Sequence, residues 1–252
     1  MESQSDVRIG EETGQQTVIL LPTFNESEAV SRTIDDIFAH LSTADILVID
    51  DSSPDGTANV VKDHVRFGEG LELVSRGERT GLADAYREGM ARALAAGYQR
   101  IVQMDADGSH RGADLLALMK ACSTDDTLVV GSRWIPSGRI ENWSFSRRLL
   151  SKGGNYYAQM VLSCDVPDLT SGFRVWGSEA LSRALATEAK IMTGYGFQIE
   201  MAWTHWRRTG EVQNVPICFV ERAAGKSKMS LGIAWEAARG IIALRLRGYR
   251  GN

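Results

Sequence analysis

The 252-residue chain has little cysteine, no long apolar run, no internal repeat and no low-complexity segment, and each lack removes a class of protein. Cys122, Cys164 and Cys218 are odd in number, widely spaced and without a nearby His, which argues against both a disulfide framework and a zinc site. They are expected to be reduced and mostly buried. No segment reaches the roughly 18 consecutive apolar residues that a spanning helix needs. Residues 1–16 are polar and acidic, read as a disordered lead, and contain no apolar core of signal-peptide length. A cytosolic location follows as an expectation. Also missing is the Gly-X-Gly-X-X-Gly turn that a dinucleotide-dependent dehydrogenase places after its first strand, so that class is set aside.

What the chain does have is enough apolar material, 43% of residues, to bury one large α/β unit. Its net charge of -4 is unevenly placed. Residues 1–144 carry 13 Lys+Arg against 24 Asp+Glu, whereas 145–252 carry 15 against 8. A basic C-terminal part suits a surface facing phosphate groups on a lipid, a nucleotide or nucleic acid, and it is equally the pattern of a solvated face.

Short apolar runs alternate with helical patterns. Thr17–Leu21, Asp45–Asp50, Leu71–Ser75, Arg100–Met104 and Thr127–Gly131 read as buried strands. Helices are expected over about Ser27–Leu41, after Thr57, along the stripe Leu82, Tyr86, Met90 and Leu94, and over about Asp114–Cys122. Such alternation predicts a parallel sheet with helices on both faces and ligands bound outside the carboxyl ends of its strands. The loops there that carry candidate chemistry are Pro22–Glu26, Asp50–Gly56, Asp105–His110 and Ser132–Arg133. Asp105 and Asp107 leave the end of a strand two residues apart, so their side chains point the same way. Two such carboxylates can hold a hard divalent cation whose other ligands are phosphate oxygens and water; an ordinary polar βα loop carries the same residues.

Beyond Arg133, residues 136–145 read as a loop and about Ser146–Leu162 as a helix whose start is cationic. Arg147 and Ser151 share one face of it, and Arg148 and Lys152 the face beside. Cations in a first turn oppose the helix dipole, which fits an anion bound there or a plain exposed basic turn. Asp168–Trp176 reads as a turn feeding a strand, Val212–Val220 as a last strand, and Glu221–Lys228 as a basic loop. Trp203 and Trp206 are core or channel wall. Leu231–Leu246 mixes Ile233, Trp235, Ile241, Ile242 and Leu244 with Glu236, Arg239 and Arg245, the composition of an amphipathic helix at a membrane interface, at a membrane partner, or packed on its own domain.

Taken together, Pro22-Thr-Phe-Asn-Glu26, Val48-Ile-Asp-Asp-Ser-Ser-Pro-Asp-Gly-Thr57, Asp105-Ala-Asp-Gly-Ser-His110, Gly131-Ser-Arg133, Asp168-Leu-Thr-Ser-Gly-Phe-Arg174 and Arg222 with Gly225-Lys-Ser-Lys228 resemble the family 2 glycosyltransferases of the GT-A fold. Within them they are similar to the polyprenol (dolichol) phosphate mannosyltransferases that lack transmembrane helices. The resemblance runs from about Thr17 to Lys228.

It implies a GT-A, Rossmann-like, mostly parallel sheet in a catalytic domain over 17–229, and a docking helix over 230–252. It also implies inverting transfer of mannose from GDP-mannose to a polyprenyl monophosphate, with Mg²⁺ or Mn²⁺ as cofactor. Pro22, Phe24, Glu26, Ile49 and Asp51 would hold guanine and ribose, Phe24 standing where Tyr is commoner. Asp105, Ala106 and Asp107 match the diphosphate and metal motif, with Asp107 the direct ligand. Ser109 stands where many relatives have Gln, Gly108 where Leu is usual, and Arg111-Gly112 replaces the Pro expected after the His. Arg133, Arg147 and Ser151 match positions associated with the lipid phosphate; Arg222 and Lys228 match a loop over the diphosphate. The implied partners are GDP-mannose, a polyprenyl phosphate, the cytosolic membrane surface and an integral membrane protein there, with no nucleic acid. Glucose transfer, a UDP-sugar donor and a non-catalytic nucleotide-sugar-binding adaptor are the alternatives.

Overall fold

The computed structural model describes residues 16–187, 190, 192, 194, 196–221 and 231–250. The expected lead, apart from Gln16, and Arg222 and Lys228 lie outside the described residues.

Seven strands form one sheet: β1 (Thr17–Thr23), β2 (Asp45–Asp50), β3 (Leu71–Ser75), β4 (Arg100–Gln103), β5 (Leu128–Ser132), β7 (Arg174–Gly177) and β8 (Gln213–Pro216), in the order β3-β2-β1-β4-β7-β5-β8. The sheet is mostly parallel, and β7 is the exception, antiparallel to both β4 and β5. The five strands read from the alternation, β1 to β5, run parallel to one another, and the antiparallel strand comes from beyond that stretch, where a turn at Asp168–Phe173 brings β7 in from the opposite end. The expected last strand divides at Ile217. Its first part, β8, joins the main sheet, and its second, β9 (Cys218–Val220), pairs with β6 (Arg139–Glu141). The segment 136–145, read as loop, thus contains a strand, three residues being too few to show a period.

Helices α1 (Val30–His40) and α4 (Gly112–Ala121) cover one face with α2 (Thr57–Lys62); α3 (Leu82–Ala95), α5 (Phe145–Leu162), α6 (Ser178–Thr187), α7 (Gly196–Thr209) and α8 (Leu231–Arg250) contribute to the other. Helix α1 starts at Val30 rather than Ser27, because Glu26, Ser27 and their neighbours are bonded to the loop after β2. Alternate residues of β1 serve the two faces. Leu20 lies in the cluster with Tyr86, Met90, Trp176 and Phe197, while Ile19 and Leu21 lie in the cluster with Ile34, Ile37, Leu115 and Leu118. The stripe on α3 is core, as expected. Its close approach depends on Gly89, where a Cβ would come within 2.9 Å of Ile49 Cδ1. Trp203 is buried and its indole N–H donates to Leu162 O, so it is core as well. The three cysteines are free and buried.

Candidate active site

The chain winds from β1 outward to β3 and then returns to place β4 on the other side of β1, so the loops after β1 and β4 flank a topological switch point, where open α/β sheets bind ligands. Antiparallel β7 adds a third element. Arg174 stands opposite both Gln103 and Val130, so the turn before Arg174 meets the residues that follow β4 and β5. Asp105, Arg133 and Asp168 are brought together for that reason.

The loop after β1 is laced to the loop after β2. Asn25 N donates to Ser53 Oγ, Glu26 N to Thr57 Oγ1 and Ser27 N to Asp55 Oδ2. Asp50 accepts from Thr23 Oγ1 and from Ser53, and Asp51 accepts from Arg76 and the amides of Thr80 and Gly81. Burial would raise the Asp55 carboxyl, but bonds from Thr57 and Ser27 outweigh it and hold the group at about 2. These acidic residues therefore build the pocket wall. Pro22 and Phe24 are half-buried beside them, Ile49 is wholly buried, and the Arg79 guanidinium lies 3.8 Å over the Phe24 ring. A planar face of this kind suits a nucleobase.

After β4, the Asp107 Oδ1 accepts from Ser109 N, 3.0 Å away. His110, absent from the sequence-derived site, orders the turn. Its Nδ1 accepts from Asp105 N at 3.1 Å, so the proton sits on Nε2, 4.0 Å from Asp105 Oδ2. Its ring stacks on Phe173 and meets Phe219 edge-on; this burial pushes the imidazole down to about 4, and Arg133 acts in the same direction against the opposing pull of Asp107. His110 is thus neutral at physiological pH. Gly172 lies against Asp105, where a Cβ would be 3.4 Å from Oδ1. Ala106 is buried, and its carbonyl takes a bond from Thr33. Ser109 is fully buried and its hydroxyl has no hydrogen-bond partner. Two carboxylates and an orphaned hydroxyl are an all-oxygen donor set, which fits a hard cation such as Mg²⁺ or Mn²⁺.

Arg133 is held more tightly than its motif suggested. Its Nε and Nη2 each donate at 2.8 Å to the Asp168 carboxylate, Nη2 also reaches Thr170 Oγ1, and its own backbone N–H bonds Asp168. Burial would raise the Asp168 carboxyl, yet the Arg133 charge and these bonds hold it below the ordinary range. The turn is pinned by Arg174, which is fully buried and donates to the carbonyls of Leu169, Ser171 and Gln198; burial without a carboxylate partner lowers it to about 9, so it stays charged at neutral pH.

On the other side, Ser144 caps α5 and accepts from Arg147 N. The Arg147 guanidinium lies 4.1 Å over the Trp143 ring and pairs with Glu221. Arg148 donates to Ile140 O, so both cations of the first turn fold back from the helix end. Trp143 lies edge-on to Phe219, which lies edge-on to His110. A continuous row thus links the Asp105 turn to Arg147. Ser151 lies one turn further along α5 and is half-buried. Trp143 and Glu221 were not legible as site residues, since single aromatics and carboxylates carry no spacing signal; His110, Asp168 and Thr170 stood within quoted motifs but had no role assigned.

The family model of glycosyl transferase family 2 matches residues 18–185. The chain is 37% identical over 239 residues to the undecaprenyl-phosphate mannosyltransferase of Micrococcus luteus, covering 93% of this chain and 98% of that protein. It is 35% identical over 236 residues to the polyprenol monophosphomannose synthase of Mycolicibacterium smegmatis, covering 93% and 88%. Among solved structures, glucosyl-3-phosphoglycerate synthase from Mycobacterium tuberculosis, crystallised with Mn²⁺ and UDP-glucose, matches with a TM-score of 0.66 at 20% identity over 96% of this chain and 82% of that one. That likeness establishes a GT-A-like fold. With a family match over most of its length and relatives above one third identity across nearly all of it, the chain belongs to glycosyl transferase family 2.

Proposed function

We propose that the protein transfers mannose from GDP-mannose to a polyprenyl monophosphate with inversion at the anomeric carbon. The observation that carries this reading is the near-full-length relation to two proteins named for mannose transfer to polyprenyl phosphates. GDP as the nucleotide rests on the resemblance of the Pro22–Glu26 and Ile49–Asp51 segments, whose laced loops and Phe24 face offer a rigid seat for a base.

A phosphate monoester is already anionic at neutral pH, so no general base is needed, in keeping with a neutral, buried His110. What the protein must supply is position and charge neutralisation. Asp105 and Asp107, with Ser109, would hold a divalent cation that neutralises the departing nucleoside diphosphate. Arg222 and Lys228 are assigned to the same diphosphate. Arg147, with Ser151 on its helix face, holds the acceptor phosphate; Arg133, the third position of that set, is neutralised by Asp168 and orders the turn beside it. Displacement from the face opposite the leaving group gives a β-linked product from an α-linked donor.

The assay that tests this offers GDP-mannose and UDP-glucose in turn, with a polyprenyl phosphate, Mn²⁺ and detergent. Mannosyl-lipid is expected with the first donor and not the second; preference for UDP-glucose would remove the donor assignment, and no transfer from either would favour an adaptor.

Helix α8 packs against the helices of the family-2 domain. No described helix is long and apolar enough to cross a membrane. Helix α8 buries Ile241 and Leu244 in the core, and Arg245 donates to Leu162 O and Ser163 Oγ. Its Trp235, Ile242 and Leu246 are exposed, as are Phe145, Leu149, Leu150, Tyr156 and Met160 on the adjoining α5. An apolar surface of this composition supports peripheral contact with the cytosolic membrane face, directly or through a membrane protein. Deleting α8 would also strip the core, so substitution is the cleaner probe. Trp235→Ser, Ile242→Ser and Leu246→Ser together are expected to release the protein from anionic vesicles in flotation while leaving transfer to a short-chain acceptor unchanged; retained flotation would mean that this face does not carry the contact.

A further inference from the structure

Arg133 and Arg147 differ in how they are held. Arg133 is bonded through two nitrogens to a carboxylate with no exposed surface, and also to Thr170. Removing either partner would strand a buried charge, so this pair is permanent. Among the described residues Arg147 has a single carboxylate partner, Glu221, with Nη1 2.6 Å from Oε1, and the two side chains are 28% and 37% exposed. Water screens such a pair, and two long side chains lose rotamers to hold it, so it contributes little and exchanges readily.

The surroundings of Arg147 hold it from behind. Its guanidinium rests on Trp143, while Glu221 is fixed at the end of β9 by its N–H bond to Glu141 O. The Trp143 indole N–H is shut off from water and has no acceptor among the described residues. Its ring also lies 5.9 Å from the Arg133 guanidinium. An arginine seated on an aromatic ring, with a displaceable carboxylate as its partner, suits an anion with more acceptor oxygens than a carboxylate has.

We propose that Glu221 is a stand-in for the acceptor phosphate: its carboxylate occupies the edge of Arg147 that the phosphate monoester takes, so that lipid binding is an exchange of anions on Arg147. The proposal rests on the reading of the acceptor given above. It makes Glu221 a specificity-determining residue, since a weakly bound or monoanionic ligand fails to displace it while a phosphate with higher charge and bidentate geometry succeeds.

The test is Glu221→Gln, probed with inorganic phosphate and a short-chain prenyl phosphate by calorimetry, together with steady-state kinetics. Loss of one exposed competing charge is expected to tighten both probes by about fivefold and to lower the acceptor KM by a similar factor. The KM for the nucleotide sugar should not move. In Arg147→Gln/Glu221→Gln the gain should vanish. Unchanged or weaker phosphate binding in Glu221→Gln, or a gain that persists without Arg147, overturns the proposal. Because both probes bind without a donor, the two readings separate. Tighter phosphate binding in a protein that makes no mannosyl-lipid would overturn the activity and keep the exchange, whereas transfer with no gain would do the reverse.

Discussion

Asp107→Asn is expected to lower transfer by about 10³-fold, the scale of losing several kcal/mol of charge stabilisation at a departing diphosphate. The substitution is nearly isosteric. An amide oxygen can still accept the Ser109 N–H that Asp107 Oδ1 takes, so the turn and the melting temperature should survive. What is lost is the negative charge available to a cation. Nucleotide affinity, measured by calorimetry with and without Mn²⁺, should therefore cease to depend on the metal, while metal-free binding to the loops around Phe24 and Asp51 should remain. Full activity in this variant would remove the metal from the mechanism. Activity lost together with the fold would show the carboxylate to be structural.

Asp168→Asn should have the largest effect on stability. Asp168 is completely buried and is the carboxylate that neutralises Arg133, whose guanidinium has Trp134, Trp143 and Phe219 around it. A neutral amide leaves the buried cation uncompensated, at a cost of about 3–5 kcal/mol. In a chain of this size that is roughly a 10 °C fall in melting temperature. The pH dependence has a definite sign. The Asp168 carboxyl is depressed in the folded protein, so its contribution is full above the unfolded carboxylate value of about 3.9 and is lost as pH falls through the lower folded value. Wild type and variant should thus differ by a constant amount at neutral pH and converge only in acid. A constant gap down to pH 2, or no gap at pH 7, would show that Asp168 does not hold Arg133 by charge.

Asp107 and Asp168 differ in how far local sequence reveals their part in the site. The strands β1, β2, β4 and β5 could be read directly because each is a short apolar run buried on both faces, the edge strand β3 because it alternates, and the stripe on α3 because helical spacing survives in a sequence. Asp105 and Asp107 stood out only within the ordered set of motifs, since an ordinary polar βα loop carries the same two residues. Asp168 opened one of those motifs with no role attached to it. It becomes a site residue only because β7 runs antiparallel between β4 and β5, a strand order that no local pattern encodes. The short strand β6 was missed for a related reason, three residues being below the length at which alternation can be recognised, and the run Val212–Val220 did not show the break at which β9 leaves to pair with it.

The sequence by itself determined the layered α/β architecture, the carboxylates that end its strands and the cationic bias of the C-terminal part, because burial and charge are local properties of residue types. Only the tertiary structure decided which charges are spent and which are exchangeable. Asp50, Asp51 and Asp55 hold loops, Arg133 is locked by Asp168, and Arg147 is held by the partly exposed Glu221. The physical reason is that an ion's availability depends on its partner and its exposure, and the partners of Arg133 and Arg147 lie 35 and 74 positions away along the chain.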